Sequence, residues 1–322
     1  MTAPTTPPPG PAAGPPRTLT ARSPGDVLAL VPVVLGFVPH DSVAMLTFGA
    51  AHPFHARVDL PDGPAGLPEL VDALLVPARH HRVRRVFFVI YTDSSWLARL
   101  AARRLESDFR RAGIEVADSL RADGRRWWPA RGSRPGVPSR GVPYDLSSHR
   151  FSAQAVLNGR VLHGSREELR RTLAADPDAV GQVVAALAGR SGSPASPDPD
   201  WAAGLVTRCR SSGGVATDHE VADLLRGLLE VEVRDAACRD LGRATARAHV
   251  AFWADVVRRC PDPLLAAPAS LLALAAWQAG EGALAWCALD RCADVDDAYP
   301  LAQLVGRALA EALPPDTWEP TG

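Results

Sequence analysis

An acidic residue follows the most apolar segment in the N-terminal half of the chain. Residues 86–91 (VFFVIY) have the composition of a strand buried on both faces. Tyr91 ends this segment and Asp93 follows it. Because ligands of open α/β sheets bind beyond the carboxyl ends of parallel strands, a carboxylate here is placed for acid–base chemistry or metal binding. The alternative is that Asp93 caps the helix predicted after it, a common role of Asp.

The sequence His40-Asp41-Ser42 contains the residue types of a hydrolase triad. A triad is assembled from separated segments, so adjacent residues of one turn cannot form the relay. Ser42 also lacks the G-x-S-x-G motif that places a nucleophilic serine on a strand-to-helix turn. We therefore interpret this sequence as a turn, with Asp41 as a candidate ligand contact.

Residues 121–140 combine six Arg, one acidic residue and the Trp127–Trp128 pair. Guanidinium and indole groups together can bind phosphate and stack on bases. The alternative is a β-hairpin in which the two indoles lie on opposite faces and the Arg side chains solvate a loop. Arg125 and Trp127 complete a candidate ligand pocket, in which we assign no catalytic residue. The pocket consists of Asp41, Tyr91, Asp93, Arg125 and Trp127.

Several familiar kinds of site are missing from the sequence. The chain has no lysine, so the phosphate-binding motif G-x-x-x-x-G-K-[ST] is excluded, and no G-x-G-x-x-G joins a predicted strand to a helix. The pairs His52/His55 and His80/His81 have neither the H-E-x-x-H spacing nor the three-ligand spacing of a zinc site. We therefore predict no metal centre and no cofactor.

The two halves of the chain carry opposite net charge, although the whole chain has a net charge of −1. Residues 1–160 hold 20 Arg and 13 acidic residues, which gives +7. Residues 161–322 hold 15 Arg and 23 acidic residues, which gives −8. This asymmetry is compatible with an anionic partner for the first half, or with packing of one half against the other.

Composition also indicates a cellular compartment. The five cysteines all lie in the second half and none belongs to a CxxC pair, which is typical of reduced core thiols. Residues 1–16 lack the basic and apolar regions of a signal peptide, and no apolar run reaches membrane-spanning length. We expect a soluble cytoplasmic protein without a membrane segment.

The N-terminal half alternates predicted helices and strands. Ser23 and Asp26 form the start of a helix, which we expect to falter at Pro32 and end by Gly36. A strand–helix–strand pattern over residues 86–120 predicts a parallel βαβ unit. The predicted strands are 43–48, 54–60, 86–91, 114–120 and a short strand at the Trp pair, and the predicted helices include 67–80 and 96–112. The Pro/Gly-rich loop 129–149 is long enough to suggest a function.

The second half shows helical periodicity and no convincing strand. Ala285, Leu289 and Cys292 have the small–large–small spacing of the second helix of a tetratricopeptide repeat. The alternative is an ordinary antiparallel helix pair, because a stable array normally needs three repeats. We also expect Trp253, Trp277 and Trp286 to lie in the core. From residue 201 onward the predicted helices are 218–230, 234–259, 264–279, 281–293 and 299–312.

These patterns predict a fold class and a domain organisation. We expect an α/β N-terminal domain with a mixed sheet, followed by an all-α, tetratricopeptide-like helical domain. The predicted parts are a disordered tail at 1–19, the mixed α/β domain at 20–160 and the helical domain at 161–318. Residues 189–200 (GRSGSPASPDPD) form an exposed loop or linker by composition.

Four separated motifs resemble one known family. They are Ala29–Ser42 (ALVPVVLGFVPHDS), Val89–Asp93 (VIYTD), Gly124–Trp128 (GRRWW) and Ala275–Arg291 (AAWQAGEGALAWCALDR). In this order they resemble the actinobacterial family catalogued as domain of unknown function 4192, over about residues 20–318. The resemblance implies a cytoplasmic protein without an assigned activity, so no catalytic residue is carried over.

The chain departs from that family after the Trp pair. Members commonly have cysteines there, whereas residues 129–145 contain none and offer Arg131, Arg134 and Arg140 instead. This difference argues against a metal or thiol role for the segment in this protein.

Three functional hypotheses follow from the sequence. The leading one is a non-catalytic regulatory or protein-interaction protein, whose helical domain offers a surface to an unidentified protein partner. The second is an enzyme or small-ligand sensor with its pocket at the strand ends of the α/β domain. The third is nucleic-acid binding through residues 121–140, which predicts salt-sensitive binding. The sequence does not indicate the oligomeric state.

Overall fold

The computed structural model describes residues 21–50, 54–157, 160–189 and 198–317. The predicted tail at 1–19 and residues 190–197 of the predicted linker lie outside these ranges. Within the described ranges, no helix combines the length and the apolar character that a bilayer crossing requires.

A mixed sheet forms the centre of the N-terminal half, as predicted, and it has six strands where five were expected. The strands are β1 (Ser42–Phe48), β2 (His55–Asp59), β3 (Arg85–Tyr91), β4 (Glu115–Ala122), β5 (Arg126–Pro129) and β6 (Val142–Pro143). Their order in the sheet is β2-β1-β3-β4-β5-β6; β3 and β4 are parallel and every other neighbouring pair is antiparallel. The predicted parallel βαβ unit is therefore confirmed.

Helices cover both faces of this sheet. They are α1 (Pro24–Leu35), α2 (Leu67–His80), α3 (Ser95–Arg111) and α4 (Arg150–Leu157). The apolar sides of α2 and α3 pack on one face, and those of α1 and α4 pack on the other. Side chains of β1 and β3 alternate between the two faces, so both strands are almost completely buried.

Helix α1 has a strong start and a definite end. The Ser23 hydroxyl accepts a hydrogen bond from Asp26 N, and the Asp26 carboxylate accepts one from Ser23 N, which is a complete capping box. Gly36 ends the helix in the left-handed conformation at φ 82°. The expected interruption at Pro32 is not found: the helix continues to Leu35, held by burial of its apolar side chains.

The second half consists of packed helices, which confirms the predicted fold class. Helix α11 is its centre, and all of its residues from Ala267 to Gln278 are buried. The tetratricopeptide resemblance of the last helices stays a prediction. The helices are α5 (Arg166–Arg171), α6 (Pro177–Gly189), α7 (Pro199–Ser212), α8 (Asp218–Gly227), α9 (Val231–Ala237), α10 (Ala246–Arg259), α11 (Ala266–Gln278), α12 (Gly282–Ala293) and α13 (Pro300–Ala310).

Two sequence expectations in this half are wrong. The single helix predicted at 234–259 is divided into α9 and α10 by a turn that Thr245 stabilises: its hydroxyl donates to Asp240 O (2.7 Å) and accepts from Gly242 N (3.0 Å). Trp253 and Trp277 are buried as expected, whereas Trp286 is 40% exposed.

Helix α7 was not predicted, because its Asp198 N-cap follows a Pro/Ser-rich segment typical of a linker.

One aromatic side chain joins the two halves. Phe37 lies between α1 and β1 but packs in the core of the helical half, with only 2% of its surface exposed. Val38 N donates to His163 O (3.0 Å), and His163 N donates to Gly36 O (2.9 Å). The predicted domain boundary near residue 160 falls in the connection between α4 and α5.

In the helical half, the buried side chain of His249 contacts the exposed carboxylate of Asp240. Arg210 of α7 pairs with Asp240, and Nε2 of His249 lies 3.0 Å from Asp240 Oδ1. Because a carboxylate only accepts, Nε2 must carry the proton and Nδ1 must be bare. Burial, together with the charge of Arg210, lowers the pKa of His249 to about 3.

We predict that His249 makes the protein sensitive to acid. The unfolded chain binds a proton near the ordinary histidine pKa of about 6.5, whereas the folded chain binds it only near 3. Stability is therefore complete above the unfolded pKa and falls as the pH decreases toward the folded pKa, by up to about 1.4 kcal/mol per pH unit. His249→Gln keeps an N–H group toward Asp240 but does not titrate.

Urea unfolding across this pH range measures the effect. The free energy of unfolding of His249→Gln should depend less steeply on pH than that of the parent between about pH 6 and 4. His80→Gln, at an exposed histidine, should keep the parental slope. Equal slopes for His249→Gln and the parent would contradict the prediction.

Candidate ligand site at the strand ends

The sheet brings all five candidate pocket residues to one edge. The start of β1 and the ends of β3 and β4 lie side by side there, since Ser42 pairs with Tyr91 and Tyr91 pairs with Ala122. Ala122 pairs in turn with Trp127 near the start of β5. Asp41, Asp93 and Arg125 lie one to three residues from these paired positions.

The five residues do not share one environment. Tyr91 and Trp127 are buried beneath α1 and α4, with 2% and 7% of their surfaces exposed. Asp41, Asp93 and Arg125 are exposed to solvent. The edge thus has a buried aromatic layer and a charged rim, and the combination of all five in one pocket stays a prediction.

Asp93 is not the cap of the helix that follows it. The Ser94 hydroxyl accepts the capping hydrogen bond from Leu97 N (3.2 Å). The main-chain carbonyl of Asp93 accepts a hydrogen bond from Arg121 Nη1 (2.9 Å), while its side chain is exposed. Ser94 therefore caps the helix instead of Asp93, and the Asp93 carboxylate stays exposed at the end of β3.

Three buried hydroxyl oxygens at this edge have no hydrogen-bond partner in the described part of the chain. They belong to Ser42, Tyr91 and Tyr144. Ser42 and Tyr91 are cross-strand neighbours and their side chains leave the same face of the sheet. Tyr144 follows β6, and its N–H donates to Arg125 O (3.0 Å). The Gly124 amide lies near the Tyr144 hydroxyl without the geometry of a hydrogen bond.

Burial keeps both phenols neutral. It raises the pKa of Tyr91 well above the usual value of 10, and the neighbouring Tyr144 adds to the effect. Burial, followed by the negative charge of Asp123, raises the pKa of Tyr144 to about 12. Each phenol therefore retains a proton to donate at physiological pH.

The candidate pocket predicted from the sequence did not include two of these three residues, Ser42 and Tyr144. Ser42 was assigned to a turn, although it is the first residue of β1. Tyr144 lies in the segment 129–149, where no periodicity indicates which side chains turn inward. The chain has only three tyrosines, so the rarity of this residue type was a signal that could have drawn attention to Tyr144.

The two indoles of the Trp pair lie on opposite faces of the sheet, which confirms that part of the hairpin alternative. Trp127 packs beneath α1 and α4, whereas Trp128 lies on the side of α3. The guanidinium carbon of Arg121 is 3.8 Å from the centroid of the Trp128 ring, and Trp128 Nε1 donates to Ser139 O (2.9 Å). The half-buried cation–indole pair and the buried hydroxyls are therefore on different faces of the sheet.

Arginine side chains anchor the segment 129–149 to the sheet. Arg131 pairs with Glu106 of α3 (2.5 Å), and Arg134 pairs with Asp118 of β4. Arg126 donates to two main-chain carbonyls of the same segment, Arg140 O (3.3 Å) and Gly141 O (3.1 Å). Much of the guanidinium cluster is thus used internally, while Arg125 and Arg140 are exposed.

One surface depression lies in the helical half, away from the strand ends. It has a volume of about 400 Å³ and is lined by Gln182, Ala185, Ala186, Thr217, Asp218 and His219. In the described ranges, no three His, Cys, Asp or Glu side chains are grouped so that they could hold a metal ion.

We predict that Gly141 holds the segment 129–149 beneath Trp128. Its φ is +77°, and a Cβ atom there would collide with the indole ring. Gly136 has almost the same φ, +78°, but open space around the Cβ position. Gly136→Ala should therefore cost only backbone strain, about 1–2 kcal/mol, and Gly141→Ala should cost about 1–3 kcal/mol more. Urea unfolding of both variants checks this difference, and equal losses would contradict it.

Comparison with known proteins identifies the family. No curated protein and no solved structure matches the chain. The model of the family described as "Domain of unknown function (DUF4192)" matches residues 24–316, which is nearly the whole chain. The chain belongs to this family, as the order of its four motifs predicted.

Proposed function

We propose that this protein binds a small molecule at the edge where β3 and β4 end, beneath α1 and α4. The observation that carries the proposal is the group of three unpartnered buried hydroxyls, Ser42, Tyr91 and Tyr144. An unpaired buried polar group costs about 1–3 kcal/mol, and native proteins keep few of them. A bound molecule with polar groups would supply the missing partners.

The position in the fold supports the same function. Ligands of open α/β sheets bind beyond the carboxyl ends of parallel strands, and β3 and β4 are the parallel pair of this sheet. Tyr91 is the last residue of β3 and pairs with Ala122 at the end of β4. The site would therefore take a ligand at a place that many α/β folds use.

Binding is better supported than catalysis. A nucleophilic or acid–base hydroxyl works with a hydrogen-bonded base, and none of the three hydroxyls has such a partner in the described part of the chain. The carboxylate of Asp93 lies on the exposed rim and not in the buried layer. We therefore favour a ligand sensor over an enzyme.

Tyr91→Phe tests whether the hydroxyl is unpaired in the ligand-free protein. If it is unpaired, its removal relieves a desolvation cost, and the free energy of unfolding should be unchanged or higher by up to about 1 kcal/mol. Tyr299→Phe is the matched control, because the Tyr299 phenol interacts with the Arg234 guanidinium. That variant should be less stable by about 0.5–1.5 kcal/mol. A loss above about 1 kcal/mol in Tyr91→Phe would show a partnered hydroxyl and remove the basis of the proposal.

A second candidate function is protein binding by the helical half. The observation that favours it is Trp286, which lies on α12 with 40% of its surface exposed while its neighbours Ala285 and Cys287 are buried. Exposed aromatic residues are enriched in protein interfaces and often dominate their binding energy.

Affinity purification with the full chain tests this second function. Trp286→Ala should reduce recovery of a specific partner at least about tenfold, as loss of an interface hot spot does. Trp96→Ala, at a 54% exposed Trp on α3, is the control and should leave that recovery unchanged. The absence of any protein that distinguishes the two variants would exclude Trp286 as a docking residue.

Nucleic-acid binding through residues 121–140 has less support. Arg126, Arg131 and Arg134 already bond groups of the protein, so their donors would have to be released before they reached a phosphate. Arg125 and Arg140 remain exposed, which is a small basic surface for a nucleic-acid-binding protein.

The thiols support the cytoplasmic location that we propose. All five cysteines are free, and four of them are buried. Burial raises the pKa of Cys260 and of Cys292 to about 12, so both stay protonated and unreactive. Such thiols are typical of proteins from a reducing compartment.

A further inference from the structure

We infer that the site at the strand ends takes an uncharged, polyhydroxylated small molecule of the sugar or polyol type. This inference rests on the proposed function and adds the chemical class of the ligand. It follows from the three hydroxyls, from the aromatic side chains beside them and from the hydrogen bonds that the nearby Asp123 carboxylate already accepts.

The hydroxyls require a ligand that both donates and accepts hydrogen bonds. Ser42, Tyr91 and Tyr144 each carry one O–H donor and acceptor lone pairs. An ammonium group only donates, so it would leave the three O–H donors unpaired. A carboxylate only accepts, so it would leave the lone pairs of the three hydroxyls unpaired. A ligand with several hydroxyl groups of its own can pair with all three.

The three hydroxyls come from three separate parts of the chain. Ser42 and Tyr91 lie on adjacent strands, β1 and β3, and both are essentially inaccessible to water. Tyr144 belongs to the segment that crosses the edge after β6, and its phenol interacts electrostatically with that of Tyr91. A ligand that meets all three needs polar groups in more than one direction, which a ring or chain of hydroxyls provides.

An aromatic surface adjoins the hydroxyls. Along the sheet, Tyr91 is followed by Ala122 and then by Trp127, and all three side chains lie beneath α1 and α4. The small side chain of Ala122 separates the phenol from the indole. Sugars have polar edges and apolar C–H faces, so hydroxyl groups beside an indole match both kinds of surface.

The charge nearest to the phenols is already engaged. The carboxylate of Asp123 raises the pKa of Tyr144, but its Oδ1 accepts hydrogen bonds from Arg125 N (2.8 Å) and Arg126 N (2.6 Å). A charged ligand would lose its hydration on entering this buried layer, which is costly. An uncharged ligand avoids this cost.

The segment that carries Tyr144 lies over the same apolar layer. Val142, Tyr144 and Leu146 pack on this layer, and β6 pairs with β5 through two residue pairs.

Calorimetry and thermal unfolding of the full chain with charge-matched probes test the inference. The probes are D-glucose, D-galactose, D-mannose and myo-inositol as neutral members, D-glucuronate as the anion and D-glucosamine as the cation. We expect at least one neutral probe to bind at least about tenfold more tightly than either charged probe, because only the charged probes pay for burial of an unpaired charge.

Variants locate the binding. Ser42→Ala, Tyr91→Phe and Tyr144→Phe should each weaken the neutral probe by about three- to tenfold, the usual effect of one lost hydrogen bond. Tyr299→Phe, outside the site, should bind like the parent. The three site variants remove only single oxygen atoms from the protein, and circular dichroism verifies that each remains folded.

The outcomes separate the ligand class from the proposed function. Tighter binding of glucuronate or glucosamine with the same dependence on Tyr91 and Tyr144 overturns the class and leaves the site in place. Failure of all probes at millimolar concentration also overturns the class, while the stability of Tyr91→Phe decides independently on the unpaired hydroxyl. If a neutral probe binds with the same affinity to the parent and to all three site variants, the assignment of binding to this site is overturned.

Discussion

The burial of β1 and β3 on both faces is the constraint on which the rest of the structure depends. Strands of this kind exclude water only if apolar helices cover each side, and α2 and α3 cover one side while α1 and α4 cover the other. The cover continues to the ends of the strands. Ser42 and Tyr91, which occupy those ends, are therefore carried into an apolar layer together with their hydroxyl groups.

The same constraint connects the sheet to the helical half. Helix α1 lies on the sheet, and the chain must return from its end to the start of β1. This return places Phe37 in the core of the other half, a few residues before Ser42. The edge with the unpaired hydroxyls thus lies close in sequence to an apolar contact between the halves.

Sequence reasoning located the ends of β3 and β4 as the candidate site, but it did not find the buried hydroxyl groups that lie there. The apolar run before Tyr91 predicts a central strand, and the rule for strand ends then points to Tyr91 and Asp93. Tyr144 was not found, since its position depends on how the segment after β5 returns to pair with Arg125, and no periodicity records that pairing. Trp286 was predicted in the core but is exposed. Helical spacing gives the direction in which its side chain leaves α12, but it does not show whether another helix packs on that side.

By itself, the sequence determined the local elements of this protein. The capping residues Ser23 and Asp26 started α1, the apolar run produced β3, and the alternation of elements predicted a mixed sheet followed by helices. Only the tertiary structure decided which side chains are paired. Strand register placed Ser42 beside Tyr91 and left their hydroxyl oxygens without hydrogen-bond partners. Tertiary packing also formed the ion pairs Arg131–Glu106 and Arg134–Asp118. Hydrogen bonds and ion pairs depend on distances of a few ångströms between residues far apart in sequence, and periodicity along the chain carries no record of them.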